Sequence, residues 1–175
     1  MMRLKPHYKI FLFLITFMFI SLAVVLIPFI RSYVFIDNKS GNVAAYAPLE
    51  STTFKIKYTH TIHLSDVIEN YKVMEDGQLM MTELEYEDFN IGMPSNAGKG
   101  ETFVEEDGKY FIRNMKTVLP EFRLFIGDVD AGLSFILSGQ EMDLKETLVR
   151  GQSYTFRIEY LSLLQQLKGV NIYER

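Results

Sequence analysis

The hydrophobic pattern divides the chain into one uninterrupted apolar run and a longer region in which apolar and polar residues alternate. The run covers residues 10–30, which are 21 residues without a charged side chain. As a helix at about 1.5 Å per residue it would reach roughly 30 Å, the thickness of a bilayer core. We therefore expect a short segment over residues 1–9, a transmembrane anchor over residues 10–30 and one domain over residues 31–175.

The alternating region predicts β structure. Residues 53–58 and 154–160 alternate with a period of two, as half-buried strands do. Asp76-Gly77 and Asp107-Gly108 each separate two strand-like runs, which is a hairpin signal because both turn positions need positive φ. We expect a turn at 39–42, strands at 121–126, 132–137 and 144–149, and a short helix at 161–168. These elements predict a mostly β fold, an antiparallel β-sandwich or barrel-like domain preceded by one N-terminal transmembrane helix.

Charges beside the apolar run favour one orientation. Arg3, Lys5 and Lys9 precede the run, whereas only Arg31 follows it closely. The positive-inside rule therefore predicts a single-pass protein of the cell membrane, with a cytoplasmic N-terminus and an extracytoplasmic C-terminal domain. The alternative is a cleaved signal peptide, whose apolar region is usually about 7–15 residues long. The apolar run over residues 10–30 is longer, and no cleavage site of the small-x-small type follows it directly.

Composition narrows the range of partners. Three of the 18 basic residues precede the apolar run, so 15 basic against 22 acidic residues leave a net charge of −7 on the remainder. Such an acidic domain is a poor ligand for nucleic acid or for anionic lipid headgroups. The chain has no cysteine, so the domain must be stable through packing without disulfides. We expect no metal, no cofactor and no nucleic-acid partner.

Two segments are candidates for a site, and the first is the loop over residues 88–101. It contains three glycines and Pro94. Loops of this length in compact domains often bind ligands, and glycine lets a backbone approach a ligand closely. A simple connector is the equally weighted alternative. The spacing of a phosphate-binding loop is missing.

The second candidate segment covers residues 58–69. His60, His63, Asp66 and Glu69 recur every three residues, which on a helix would suggest a metal site. The segment reads as the end of a strand, however, where His60 and His63 face opposite sides. His60 shares its face with Tyr58. It is therefore either a buried, hydrogen-bonded histidine or a ligand-contacting residue beside Glu69.

An enzyme is a third possibility for the same residues. His60 and Glu69 are suitable types for an acid–base pair. A nucleophile would have to be Ser or Thr, such as Thr61 or Ser65, but neither Gly-x-Ser-x-Gly nor Ser-x-x-Lys accompanies them. The acidic run over residues 83–87 alternates along a strand, which is typical of a solvated face. We therefore expect no enzymatic activity and name no catalytic residue.

The motifs of both segments carry a family resemblance. In order, Tyr58-x-His60-Thr61, Glu69-x-Tyr71 and Phe89-x-x-Gly92-Met93-Pro94 resemble the bacterial domain-of-unknown-function family 1850 (DUF1850). The resemblance covers roughly residues 40–160. The family usually has serine where this chain has Thr61, so a hydroxyl is kept. The candidate ligand- or partner-binding residues are the matching positions Tyr58, His60, Thr61, Glu69, Gly92 and Pro94.

The resemblance implies a role but no chemistry. Members of the family are small anchored or exported proteins that are commonly associated with TRAP transporters of the type that uses a TAXI substrate-binding protein. It thus implies an accessory of a solute transporter, with the permease or the TAXI-type binding protein as partner. No catalytic residue is established for the family. A small-molecule-binding sensor or scavenger is the alternative, and a hydrolase-like enzyme using His60 and Glu69 is a third hypothesis.

Overall fold

The computed structural model describes residues 6–61, 64–87 and 93–174, and its first element is helix α1 (Pro6–Leu26). The segment His7–Leu26 is long and apolar enough to cross a membrane, and none of it is buried against the domain. The helix ends before the apolar run does. Pro28 has no N–H to donate and disfavours a helical conformation at Ile27, which accounts for the end at Leu26. The first strand begins at Ile30.

The described part of the remaining chain is mostly β and forms two sheets. Its strands are β1 (Ile30–Asp37), β2 (Val43–Pro48), β3 (Thr53–Thr59), β4 (Asp66–Val73), β5 (Leu79–Tyr86), β6 (Thr102–Glu106), β7 (Lys109–Leu119), β8 (Phe122–Ile126), β9 (Leu133–Leu137), β10 (Gln140–Asp143), β11 (Gln152–Leu161) and β12 (Val170–Asn171), and its helices are α2 (Leu144–Thr147) and α3 (Leu163–Lys168). The smaller sheet has the order β12-β2-β1-β11-β8, and the larger has β10-β9-β3-β4-β5-β7-β6. A mostly β domain after one apolar helix is confirmed.

Turn chemistry explains the hairpins. Asp107 and Gly108 both have positive φ, 51° and 77°, and they join β6 to β7 as predicted. The β4–β5 hairpin is also confirmed, but of its Asp-Gly pair only Gly77 has positive φ, 89°. Its turn is longer than the expected two residues, because the N–H of Met74 donates to the carbonyl of Gln78 at 2.8 Å. A single left-handed glycine is therefore sufficient there.

The predicted strand over residues 144–149 is wrong. The chain forms β10 before this segment and then α2 within it. The carboxylate of Asp143 accepts the backbone N–H of Lys145 at 2.7 Å and caps the first turn of α2. The short helix expected at 161–168 is confirmed as α3, where Ser162 and Gln165 form a capping box.

Aromatic rings fill the space between the two sheets. Phe156 on β11 is fully buried. Its ring centroid lies 4.8–5.9 Å from those of Tyr33, Phe35, Phe54, Phe122 and Phe135. These partners come from both sheets, so the cluster joins the two layers.

Helix α1 leads into one end of the sandwich. Ile30, where β1 begins, pairs with Leu161, and the guanidinium of Arg31 donates to the carbonyls of Met74 and Glu75 in the β4–β5 turn. At about 3.3 Å per residue, β1 carries the chain about 26 Å from that end. We call the opposite end the distal end. It contains the β3–β4 turn, the loop 127–132 and residues 148–151.

We expect Phe156→Ala to lower the free energy of unfolding by about 3–5 kcal/mol, because removal of a buried ring leaves a cavity. Phe125→Ala is the matched control on neighbouring β8, since that side chain is 63% exposed. Urea unfolding of the full chain in detergent, followed by tyrosine fluorescence, measures both variants. Equal losses in the two variants would contradict the assigned core.

Candidate functional site

The first motif, Tyr58-x-His60-Thr61, lies at the end of β3, at the distal end of the sandwich. Phe54 and Ile56 are buried on the inner face of β3, and Tyr58 continues that face as a half-buried residue. His60 follows it, also half-buried, and its N–H donates to the carbonyl of Ser65 at 2.8 Å. Thr61 is exposed in the turn. The three motif residues therefore progress from the interior to the surface.

Glu69 lies on the inner face of β4. It pairs with Ile56, and Tyr58 pairs with Val67, so the side chains of Tyr58 and Glu69 are diagonal neighbours on one face. The hydroxyl of Tyr71 donates to Glu69 Oε2 at 2.8 Å, and the hydroxyl of Tyr58 is hydrogen bonded to the same carboxylate. The fold thus places a carboxylate between the sheets and gives it two tyrosine partners.

Burial raises the pKa of Glu69 and of its two tyrosine partners, Tyr58 and Tyr71. It raises the pKa of Glu69 above its ordinary value, although hydrogen bonds from Tyr71 and Tyr58 act in the opposite direction. Burial and the nearby Glu69 carboxylate raise the pKa of Tyr58 to about 12. The same causes raise the pKa of Tyr71. Both tyrosine hydroxyls therefore stay protonated near neutral pH and can donate hydrogen bonds to Glu69.

Tyr71 connects the Glu69 carboxylate to the aromatic core. Its ring stacks on Phe54 at 5.0 Å and on Phe122 at 5.3 Å, with interplanar angles of 6° and 23°. Tyr71 belongs to a family motif but was not among the predicted site residues. The spacing Glu69-x-Tyr71 on a strand, which puts both side chains on one face, was the available signal.

The described residues of the third motif, Met93 and Pro94, lie against the same buried cluster as Tyr58. Met93 contacts a buried cluster that includes Leu84 and Ile112, and Tyr58 packs against the same cluster. The hydroxyl of Tyr86, also in that cluster, donates to the carbonyl of Pro94. Gly92, residues 88–91 and His63 lie outside the described residues.

A cleft of about 440 Å³ opens at the distal end. Its surface is mostly apolar, and it lies between the end of β3, strand β8 and the loop 127–132. Tyr58 and Thr61 line it together with Leu124, Phe125, Val129 and Lys145. Neither β8 nor Lys145 was predicted to belong to a site, because neither belongs to a motif and both are distant from residues 58–69 along the chain.

The acidic residues near the motif point in different directions. Asp66 lies three positions before Glu69 on β4 and therefore faces the other side of the sheet. Its Oδ1 accepts a hydrogen bond from the hydroxyl of Thr59 at 2.9 Å. Across residues 6–61, 64–87 and 93–174, no three His, Cys, Asp or Glu side chains lie close enough to hold a metal ion.

The acidic run over residues 83–87 lies on the outer face of the larger sheet. Glu85 pairs with Lys109 at 2.7 Å, and Glu83 pairs with Arg113 at 3.0 Å. These partly exposed ion pairs agree with the expected solvated face and contribute little stability each.

The fold and the distal site define a class of protein, a β-sandwich domain that follows a single apolar helix. A family model described as "Domain of unknown function (DUF1850)" matches residues 54–144. The match covers just over half of the chain, so the chain belongs to this family. It includes all six candidate residues, although it is shorter than the expected range of 40–160. No curated protein and no solved structure matches the chain.

We expect Glu69→Gln to raise the melting temperature at pH 8. Because the pKa of Glu69 is raised on folding, the folded state disfavours the charged carboxylate relative to the unfolded chain. Wild-type stability therefore falls as the pH rises from about 4.3, the ordinary pKa of Glu, through the folded pKa. The glutamine variant avoids this loss, so its advantage should disappear at pH 4.

Thermal unfolding of the full chain in detergent at pH 4 and pH 8 measures this difference. Glu50→Gln is the control, because that side chain is exposed and its substitution should change the melting temperature little. A destabilised Glu69→Gln variant at pH 8 would contradict the prediction.

Proposed function

We propose that this chain is a non-enzymatic, membrane-anchored accessory of a TRAP-type solute transporter, with its β domain outside the cell membrane. The observation that carries the proposal is that the described motif residues Tyr58, Thr61 and Met93 lie at one end of the sandwich, where Tyr58 and Thr61 line a cleft. The association of this family with TAXI-type TRAP transporters supports the choice of partner. The charges that flank the apolar run support the orientation.

The distal end has the character of a protein-binding surface. Four large apolar side chains are exposed there, Leu64 by 73%, Phe125 by 63%, Val129 by 51% and Val149 by 58%. Grouped apolar side chains on a surface are typical of interaction sites. A protein partner that covers this end would remove them from water.

The position of the distal end favours a soluble partner. Because β1 begins at Ile30, close after the end of α1 at Leu26, the domain stays near the bilayer that α1 would cross. Strand β1 nevertheless carries the distal end about 26 Å away from the helix. This arrangement favours the TAXI-type binding protein as the partner over the membrane-embedded part of the permease, which remains the alternative.

The surroundings of Glu69 support a non-enzymatic function. Its carboxylate accepts hydrogen bonds from Tyr58 and Tyr71 and lies between the sheets. Tyr71 in turn is fixed by stacking on Phe54 and Phe122. A carboxylate held in this way favours a structural role over acid–base catalysis.

Single cysteines test the orientation, because the natural chain has none. Lys99 is exposed on the domain, and Lys5 precedes the apolar run. We expect a membrane-impermeant maleimide to label Lys99→Cys in intact cells and Lys5→Cys only after lysis. The opposite labelling pattern would reverse the orientation.

Co-purification in mild detergent tests the partner. We expect the wild-type chain to retain a TAXI-type binding protein or a TRAP permease from its own host, identified by mass spectrometry. Leu64→Asp should reduce the recovery, because it places a charge on the distal end. Val118→Asp is the control, since Val118 is 40% exposed but lies on β7, away from that end. Equal recovery with both variants, or no transporter component with wild type, would refute the proposal.

A further inference from the structure

The distal cleft has the size and the lining of a small-molecule site. Its volume of about 440 Å³ is within the usual range of roughly 300–1,000 Å³ for such sites. Tyr58 and Leu133 form its wall on the larger sheet, and Leu124 faces them from β8. Phe125 and Val129, both exposed, stand at its edge. This surface suits an apolar or aromatic body.

Lys145 adds a positive charge to the cleft. Its ammonium donates to the carbonyl of Val129 at 2.7 Å and to the carbonyl of Ala131. An ammonium has three N–H groups, so one donor remains, and carbonyl oxygens carry no formal charge to neutralise it. Lys57 and Lys109, by contrast, contact carboxylates at 2.9 and 2.7 Å. Among the described residues, no carboxylate pairs with Lys145.

Arg123 is a second cation in the lining. It is exposed on β8, and no carboxylate in the described part of the chain forms an ion pair with it. Asp128 is an acidic residue of the same lining, but its side chain is 82% exposed and lies 4.0 Å from Arg150. The cleft thus has an excess of positive charge, although residues 31–175 carry a net charge of −7.

We propose that the distal cleft binds a small organic anion, a carboxylate on a short apolar or aromatic body. The carboxylate would accept the remaining N–H of Lys145 and neutralise its charge, with Arg123 at the opening. The body would pack against Tyr58 and Phe125. A neutral ligand would leave the ammonium without a counter-ion, and a cationic ligand would be repelled.

Isothermal titration of the full chain in detergent tests this inference with three probes of similar shape. Phenylacetate is the anion, phenylacetamide its neutral analogue and phenethylamine the cation. We expect phenylacetate to bind about tenfold more tightly than phenylacetamide, the value of one charged hydrogen bond, and phenethylamine to bind most weakly. Inorganic sulfate, which has no apolar body, should bind more weakly than phenylacetate.

Two variants locate the anion. We expect each of Lys145→Met and Arg123→Gln to weaken phenylacetate binding, Lys145→Met by about tenfold. Each variant should also reduce the ratio of the affinity for phenylacetate to the affinity for phenylacetamide. Lys145→Met also removes two hydrogen bonds to the loop 127–132, whereas Arg123→Gln removes no described contact and should fold normally. Lys55→Met on the outer face of the larger sheet is the control and should bind like wild type.

Three results would overturn the inference. They are equal affinity for phenylacetate and its amide, no binding of any probe at millimolar concentration, and unchanged affinity in both cleft variants. These measurements use the purified chain alone, so they do not depend on whether a transporter component co-purifies with it. Failure of the partner experiment and failure of the ligand experiment are therefore distinguishable.

Discussion

The packing of Phe156 against aromatic rings from both sheets is the contact on which the sandwich depends. The chain has no cysteine, so no disulfide can join the layers. Large rings bury extensive apolar surface, and their edge and stacked contacts fix how two sheets are placed relative to each other. Tyr71 extends this cluster through Phe54 and Phe122 and ends in a hydroxyl that binds Glu69. The candidate site is therefore supported directly by the core.

The unequal width of the sheets explains where Met93 lies. Phe122 on β8, the edge of the smaller sheet, stacks on Tyr71 of β4, so β5, β7 and β6 extend beyond that edge. Their inner side chains form a second cluster that Met93 covers from the loop. Tyr58 contacts both this cluster and the main core. Tyr58 of the first motif and Met93 of the third motif thus both pack against the second cluster.

Turns and helix starts were predicted correctly where all the residues that form them lie within a few positions of one another. Asp107-Gly108 supplies both left-handed positions of its turn, and Ser162 with Gln165 supplies a whole capping box. The strand predicted at residues 144–149 is wrong because of another local interaction. The Asp143 carboxylate caps helix α2, and this cap outweighs the strand-like pattern that follows it. The extent of the β4–β5 turn depended on a cross-strand hydrogen bond, which the Asp-Gly pair did not reveal.

The sequence by itself determined the apolar helix, the period-two strands, the acidic character of the domain and the motif positions that place it in DUF1850. Only the tertiary structure decided that Glu69 is held by Tyr58 and Tyr71, and that a cleft joins Tyr58 to Leu124 and Lys145. Periodicity reports which face of a strand a residue occupies. It carries no information about which distant strand, loop or helix packs against that face, because strand order and sheet-to-sheet packing are set by contacts between residues far apart in the chain.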